Sequence, residues 1–155
     1  MSGLQEAAKI HSCSWHEMHR QATDLAIRLA ASGPFQGIIA IARGGTVPAA
    51  VVARVLDIRL IETLCTAKLR RHREGALSVL KGAPPQARRP WLAADRRRRR
   101  QQQHRREARS MLPAAHYATI YVKPVGRPFV DTFISEVEQD VWIDFPWDRD
   151  PAKIG

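Results

Sequence analysis

The chain has 155 residues, with 25 Lys and Arg against 15 Asp and Glu, for a formal net charge of +10. That length suits one domain with a core of its own, built without disulfide or metal staples. The charge excess is local: residues 88–109 hold ten arginines (88, 89, 96, 97, 98, 99, 100, 105, 106, 109) against Asp95 and Glu107, a net +8, so overall basicity is no argument for a nucleic-acid-binding protein. Cys13 and Cys65 are too few and too far apart for a disulfide framework or a zinc site, and read as ordinary thiols of a reducing compartment. No stretch approaches the roughly 18 apolar residues of a membrane span, and Met1-Ser2-Gly3-Leu4 lacks the layout of a secretory signal; the expected location is cytoplasmic.

Ser14-Trp15-His16-Glu17 has the capping-box pattern that opens a helix, and Met18, Ala22, Leu25, Ala26 and Leu29 then recur at helical spacing until Gly33-Pro34 stops the element. Phe35 to Ala42 reads as a short strand buried on both faces, because its apolar run barely alternates. After the turn Arg43-Gly44-Gly45-Thr46, a second helix carries Pro48 in its first turn and Val51, Val52, Val55 and Leu56 behind it; Arg59 to Thr66 is the next strand. Strand, glycine turn, helix and strand make a βαβ unit, hence a parallel sheet with a ligand crevice at the carboxyl ends of its strands. Lys68 to Ala87, basic and then rich in Gly and Pro, reads as a mobile connection. His116 to Val122 alternates as a strand, and Val141 to Phe145 is a last short one.

Arg43-Gly44-Gly45 between strand and helix offers close backbone approach and a positive helix end, which suit a phosphate or pyrophosphate; an ordinary structural turn has the same composition. Lys123 at a strand end, with Arg127 beyond, is either solvated or a ligand group. Trp142 and Trp147 flank an apolar segment and fit a core as well as a stacking platform. Asp131, Asp140, Asp144 and Asp148 lack metal-ligand spacing, and His72, His104 and His116 form no nucleophile-and-base pattern with a Ser or Cys.

In order along the chain, Ile41-Ala42-Arg43-Gly44-Gly45-Thr46-Val47-Pro48, Val79-Leu80-Lys81, Tyr121-Val122-Lys123-Pro124-Val125-Gly126-Arg127-Pro128 with Asp131, and Gln139-Asp140-Val141-Trp142-Ile143-Asp144-Phe145-Pro146-Trp147-Asp148 resemble the bacterial xanthine-guanine phosphoribosyltransferases over nearly the whole length. The resemblance implies a type I phosphoribosyltransferase: an α/β fold with a parallel sheet flanked by helices and a small hood, one domain over residues 1–155, with 66–90 a mobile hood or loop segment. It implies purine salvage with guanine, xanthine or hypoxanthine and phosphoribosyl pyrophosphate as substrates, Mg²⁺ as cofactor, a homo-oligomer, and a cytoplasmic enzyme with possible peripheral association at the inner face of the cell membrane. On the family's pattern Arg43 and Gly44 line the pyrophosphate loop, with a non-proline cis peptide between them. Lys123 meets the oxygen at purine position 6, Trp142 stacks on the base, and the backbone of Trp142 and Ile143 reads position 2. Arg73 is the hood arginine that reaches pyrophosphate.

One family motif is replaced. It is a hydrophobic strand running into two acids, then an aspartate, a threonine, two glycines and a threonine. Counted back from Met111-Leu112-Pro113, its acids fall on Arg96, Arg97 and Arg100, and its phosphate loop on Gln101, Gln102, Gln103 and His104. Arg97, at the metal-ligand position, has no lone pair to offer, and five arginines cannot enter a buried strand without a large desolvation cost. The genetic code supplies a reason. If Ala94-Asp95-Arg96-Arg97 is encoded GCT GAT CGA CGA, reading one base later restores a leucine, an isoleucine and, with the next codon's C, two aspartates. The expectation is a pair of compensating frameshifts, before Ala94 and between about Arg105 and Met111, in the gene or its sequencing.

Two other function classes stand beside a working transferase. One is a catalytically inactive paralogue that binds purine or phosphate. The other is a nucleic-acid binder acting through Arg96–Arg109, against which stands the lack of interleaved aromatics for stacking bases.

Overall fold

The computed structural model describes residues 9–68, 77–81, 91–95 and 109–148, and side chains within them at 9–65 and 109–148. In chain order the elements are β1 (Ile10–Ser12), α1 (Trp15–Ala30), β2 (Gly37–Ala42), α2 (Thr46–Val55), β3 (Ile61–Lys68), β4 (Leu77–Lys81), β5 (Trp91–Asp95), β6 (His116–Val122), β7 (Thr132–Glu136) and β8 (Trp142–Asp144), with 3-10 turns at Pro124–Phe129 and Pro146–Asp148.

The start of α1 follows the capping logic of its sequence. The Ser14 hydroxyl accepts the Glu17 backbone N–H at 3.1 Å, satisfying one of the orphan donors at the helix start. Met18, Ala22, Leu25, Ala26 and Leu29 are all buried, as their spacing predicts, and Gln21 joins them on the same stripe. That stripe packs on β6 and β7 and against α2. Each fully buried Met or Leu there contributes roughly 1.5–3 kcal/mol of transfer free energy.

The main sheet has the order β4-β3-β2-β5-β6-β7. Every pairing in it is parallel except that of β4 with β3. β2 is buried on both faces: Ile38 and Ala40 enter the core under α1 and α2, while Ile39 and Ile41 enter a second core with Leu64, Leu112, Ala115 and Tyr117. The parallel order brings the carboxyl ends of β2, β5 and β6 side by side along one edge. A separate two-stranded parallel sheet pairs β1 with β8, placing Ile10 opposite Trp142 and His11 opposite Ile143.

The structure departs from the sequence reading in several places. Val55 keeps 44% of its surface exposed, because α2 turns Pro48, Ala49, Val52 and Ala53 inward instead. The stretch read as a mobile connection contains β4, which adds to the sheet edge. β1 and β7 were also not anticipated, whereas β5 stands where the family motif places a strand before Arg96.

Candidate active site

β2 ends at Ala42 and the chain reverses directly into α2. Gly45 N–H donates to the Ile41 carbonyl at 2.9 Å, and the Thr46 hydroxyl donates to the Arg43 carbonyl at 2.6 Å. This folds Arg43 and Gly44 onto the sheet's carboxyl edge at the positive end of α2, with Arg43 exposed. A non-proline cis peptide is present, but it joins Ala42 to Arg43 rather than Arg43 to Gly44, and so sits at the strand's last residue, one position before the glycine pair.

β6 delivers Lys123 to the same edge, two strands away from Arg43 with β5 between them, a span of roughly 10 Å at ordinary strand spacing. Lys123 is not a solvated strand-end lysine: it is 2% exposed. Its ammonium donates to the carbonyl oxygens of Gln139 at 3.1 Å and Val141 at 2.6 Å. A buried cation needs such acceptors to offset its lost hydration, and charge-assisted bonds of this kind contribute about 1.5–3 kcal/mol each. Because Val141 immediately precedes Trp142, this bond ties Lys123 to the segment that carries Trp142 and Ile143. Trp142 keeps 40% of its surface exposed, whereas Ile143 is buried. Trp147 stacks on Phe145 with centroids 4.9 Å apart and packs against the core, so it is not a free platform.

Asp131 of the motifs and Arg109 of the basic segment lie elsewhere. Asp131 precedes β7, at the amino edge of the sheet, where its carboxylate accepts the Tyr117 N–H at 2.8 Å and the Arg109 guanidinium at 3.1 Å. Burial opposes its charge, but the Tyr117 N–H and Arg109 outweigh it and hold the carboxyl below the usual range. Arg109 also donates to the Ala115 carbonyl and lies 4.6 Å over the Tyr117 ring. It is therefore a structural residue, and does not belong with a basic segment offered to nucleic acid. No sequence signal separated it from the other arginines, because its partners are 6 to 22 positions away.

The central strand β5 ends at Asp95, level with Thr119 of β6. Arg96, Arg97 and Arg100, with Gln101, Gln102, Gln103 and His104, lie outside the described residues, as does Arg73. The chemistry of the donors is fixed by their identity. Five consecutive arginines after Asp95 present no lone pairs to a cation, and no group of three His, Cys, Asp or Glu residues that could hold a metal occurs among the described residues. The residues at the motif's acid positions, Arg96, Arg97 and Arg100, do not fit the Mg²⁺ that the family resemblance implies. Neither Cys13 nor Cys65 is in a disulfide.

No protein-family model matches the chain. The fold is shared with a purine phosphoribosyltransferase from Pyrococcus horikoshii, with TM-score 0.74 and 20% identity over 92% of this chain and 96% of that one. This is the type I phosphoribosyltransferase fold. Over 155 residues the chain is 47% identical to xanthine-guanine phosphoribosyltransferase of Nitratidesulfovibrio vulgaris strain DP4, covering 99% of this chain and 94% of the relative. It is 43% identical over 143 residues to the enzyme of that name from Desulfotalea psychrophila, covering 92% and 88%. The chain belongs to the xanthine-guanine phosphoribosyltransferase family.

Proposed function

We propose that the crevice between the Arg43-Gly44 turn and Lys123 binds phosphoribosyl pyrophosphate and a 6-oxopurine, and that the chain transfers the phosphoribosyl group to guanine, xanthine or hypoxanthine with release of pyrophosphate. The observation that carries this reading is the buried Lys123 ammonium, held against the loop that leads into Trp142 and Ile143. A fixed cation donor suits the oxygen at purine position 6 and offers nothing to the donor amino group of adenine. Trp142 supplies an exposed ring for stacking, and the backbone at Trp142 and Ile143 supplies groups for position 2. The Arg43-Gly44 turn supplies a cation and a helix end for pyrophosphate. Arg73 belongs to the same proposal as a further pyrophosphate contact, and a cytoplasmic homo-oligomer is its working form.

The test is formation of nucleoside monophosphate from phosphoribosyl pyrophosphate and each base, with adenine as control. Slow product formation with the three 6-oxopurines and none with adenine is expected; equal use of adenine would sink the assignment of Lys123. The arginines after Asp95 favour a second reading in which the same pocket binds purine nucleotide without turnover. Nucleotide binding with no product formation is the outcome that would select it.

A further inference from the structure

The small sheet and the main sheet meet at a contact between two rings. His11 stands on β1 opposite Ile143. Its Nε2 lies 3.1 Å from the Tyr121 hydroxyl, and the rings meet edge to face with centroids 5.1 Å apart. Tyr121 lies on β6 two residues before Lys123 and is fully buried. It also packs edge to face on Phe145, the residue that follows β8, at 5.9 Å. One side chain of the main sheet thus touches β1 through His11 and the exit of β8 through Phe145. Lys123 holds the entrance of β8 through the Gln139 and Val141 carbonyls. Trp142 and Ile143 hang between these two points.

The bond can form in either charge state of the imidazole. Burial, reinforced by the Cys13 thiol, raises the Tyr121 hydroxyl far above its ordinary range, so it remains an O–H with a proton to donate and lone pairs to offer. A neutral ring can accept that proton at Nε2; a protonated ring can donate to the hydroxyl oxygen, with the Glu17 carboxylate 3.8 Å away. The contact therefore carries the argument through its position, at the junction of β1 and β6.

We propose that His11 and Tyr121 are positioning residues for base binding: their bond sets the seat of the β1–β8 pair on β6, and with it the spacing between Trp142-Ile143 and Lys123. The inference rests on the reading of those three residues as the base pocket. Neither His11 nor Tyr121 touches the base; both act through β8. A pocket that reads a planar base tolerates only about 0.5 Å of error in its walls, and a misplacement of about 1 Å costs up to ~100-fold.

The experiment measures binding of guanosine 5′-monophosphate and, separately, of inorganic pyrophosphate by calorimetry to the full chain and to Tyr121→Phe, His11→Phe and His11→Gln. Tyr121→Phe keeps the ring and its packing on Phe145 while deleting only the hydroxyl, so it reports even if a His11 variant fails to fold. Tyr121→Phe and His11→Phe are expected to weaken the nucleotide about tenfold and leave pyrophosphate affinity unchanged. His11→Gln, which keeps a side-chain hydrogen-bonding group on β1, is expected to recover most of the loss. Nucleotide affinity unchanged in Tyr121→Phe, or pyrophosphate affinity falling in parallel, would overturn the inference while leaving the proposed function standing. Absence of nucleotide binding by the unaltered chain would overturn both.

Discussion

The Lys123 ammonium lies 2.6 Å from the carbonyl oxygen of Val141, the residue before Trp142. A cation proposed to read the base thus also fixes the segment that carries the stacking ring, and the two roles separate on substitution. Lys123→Met fills the space of the stem but deletes the charge, leaving the Gln139 and Val141 carbonyls with a lost partner. Affinity for guanosine monophosphate should fall by about ten- to a hundredfold, the equivalent of one charge-assisted bond of ~1.5–3 kcal/mol. Preference over adenosine monophosphate should collapse with it. Calorimetric titration of both nucleotides checks this; retained preference in the variant would remove Lys123 from base recognition.

Asp131 should govern part of the acid stability. Its carboxyl is depressed below the ordinary value of 3.8 in the folded chain, so the stability it contributes is fully present above the unfolded pKa and is lost as pH falls through the folded one. Asp131→Asn should cost about 1 kcal/mol at pH 7, because solvent screening reduces what a charge-assisted bond contributes at a group this exposed. Well below pH 4 the variant and the parent should converge, since both are then neutral at that position. Thermal melts across pH 2–7 provide the measurement, and a constant difference at all pH values would contradict the assignment.

The Ser14 cap offers a simpler test of local physics. Ser14→Ala removes the acceptor of the Glu17 N–H and should cost about 1 kcal/mol, or roughly 2–4 °C in Tm for a chain of this size. Ser14→Asp should keep most of that stability, because it restores the acceptor and places negative charge at the helix start. Melting midpoints of the three proteins decide it.

Legibility from sequence followed the range of the forces involved. The capping box and the stripe from Met18 to Leu29 are encoded within a few turns of chain, and they stand in the structure as their spacing requires. The run Ile38–Ile41 announced a strand covered on both sides because it barely alternates. β1 could not be read: Ile10-His11-Ser12 becomes a strand only by pairing with Trp142–Asp144 at the other end of the chain. β4 and β5 are five-residue strands set beside basic or proline-rich stretches, which masked their weak apolar pattern. Burial of Lys123 was equally hidden, since its carbonyl acceptors come from a loop 16 to 18 residues later.

The arginines after β5 carry the heaviest consequence. β5 is the central strand between β2 and β6, so its last residue, Asp95, stands at the middle of the carboxyl edge. Loss of pyrophosphate from the ribose separates charge, and carboxylates beside the reacting carbon and around a divalent ion would lower that barrier by several kcal/mol, each ~1.4 kcal/mol being tenfold in rate. Arg96, Arg97 and Arg100 supply neither carboxylate nor metal ligand. The chain should therefore form nucleoside monophosphate orders of magnitude more slowly than a variant with Ala94→Leu, Asp95→Ile, Arg96→Asp, Arg97→Asp, Arg99→Val and Arg100→Asp, and with Gln101→Thr, Gln102→Gly, Gln103→Gly and His104→Thr to rebuild the phosphate loop. The assay uses phosphoribosyl pyrophosphate with guanine or xanthine, with and without Mg²⁺, on both proteins. The variant should gain Mg²⁺-dependent turnover, and the nucleotide sequence across codons 90–112 should show the compensating shifts. Robust Mg²⁺-dependent turnover by the unaltered chain would refute the claim that residues 96–104 have lost the site, and an inert variant would count against frameshifts as their origin.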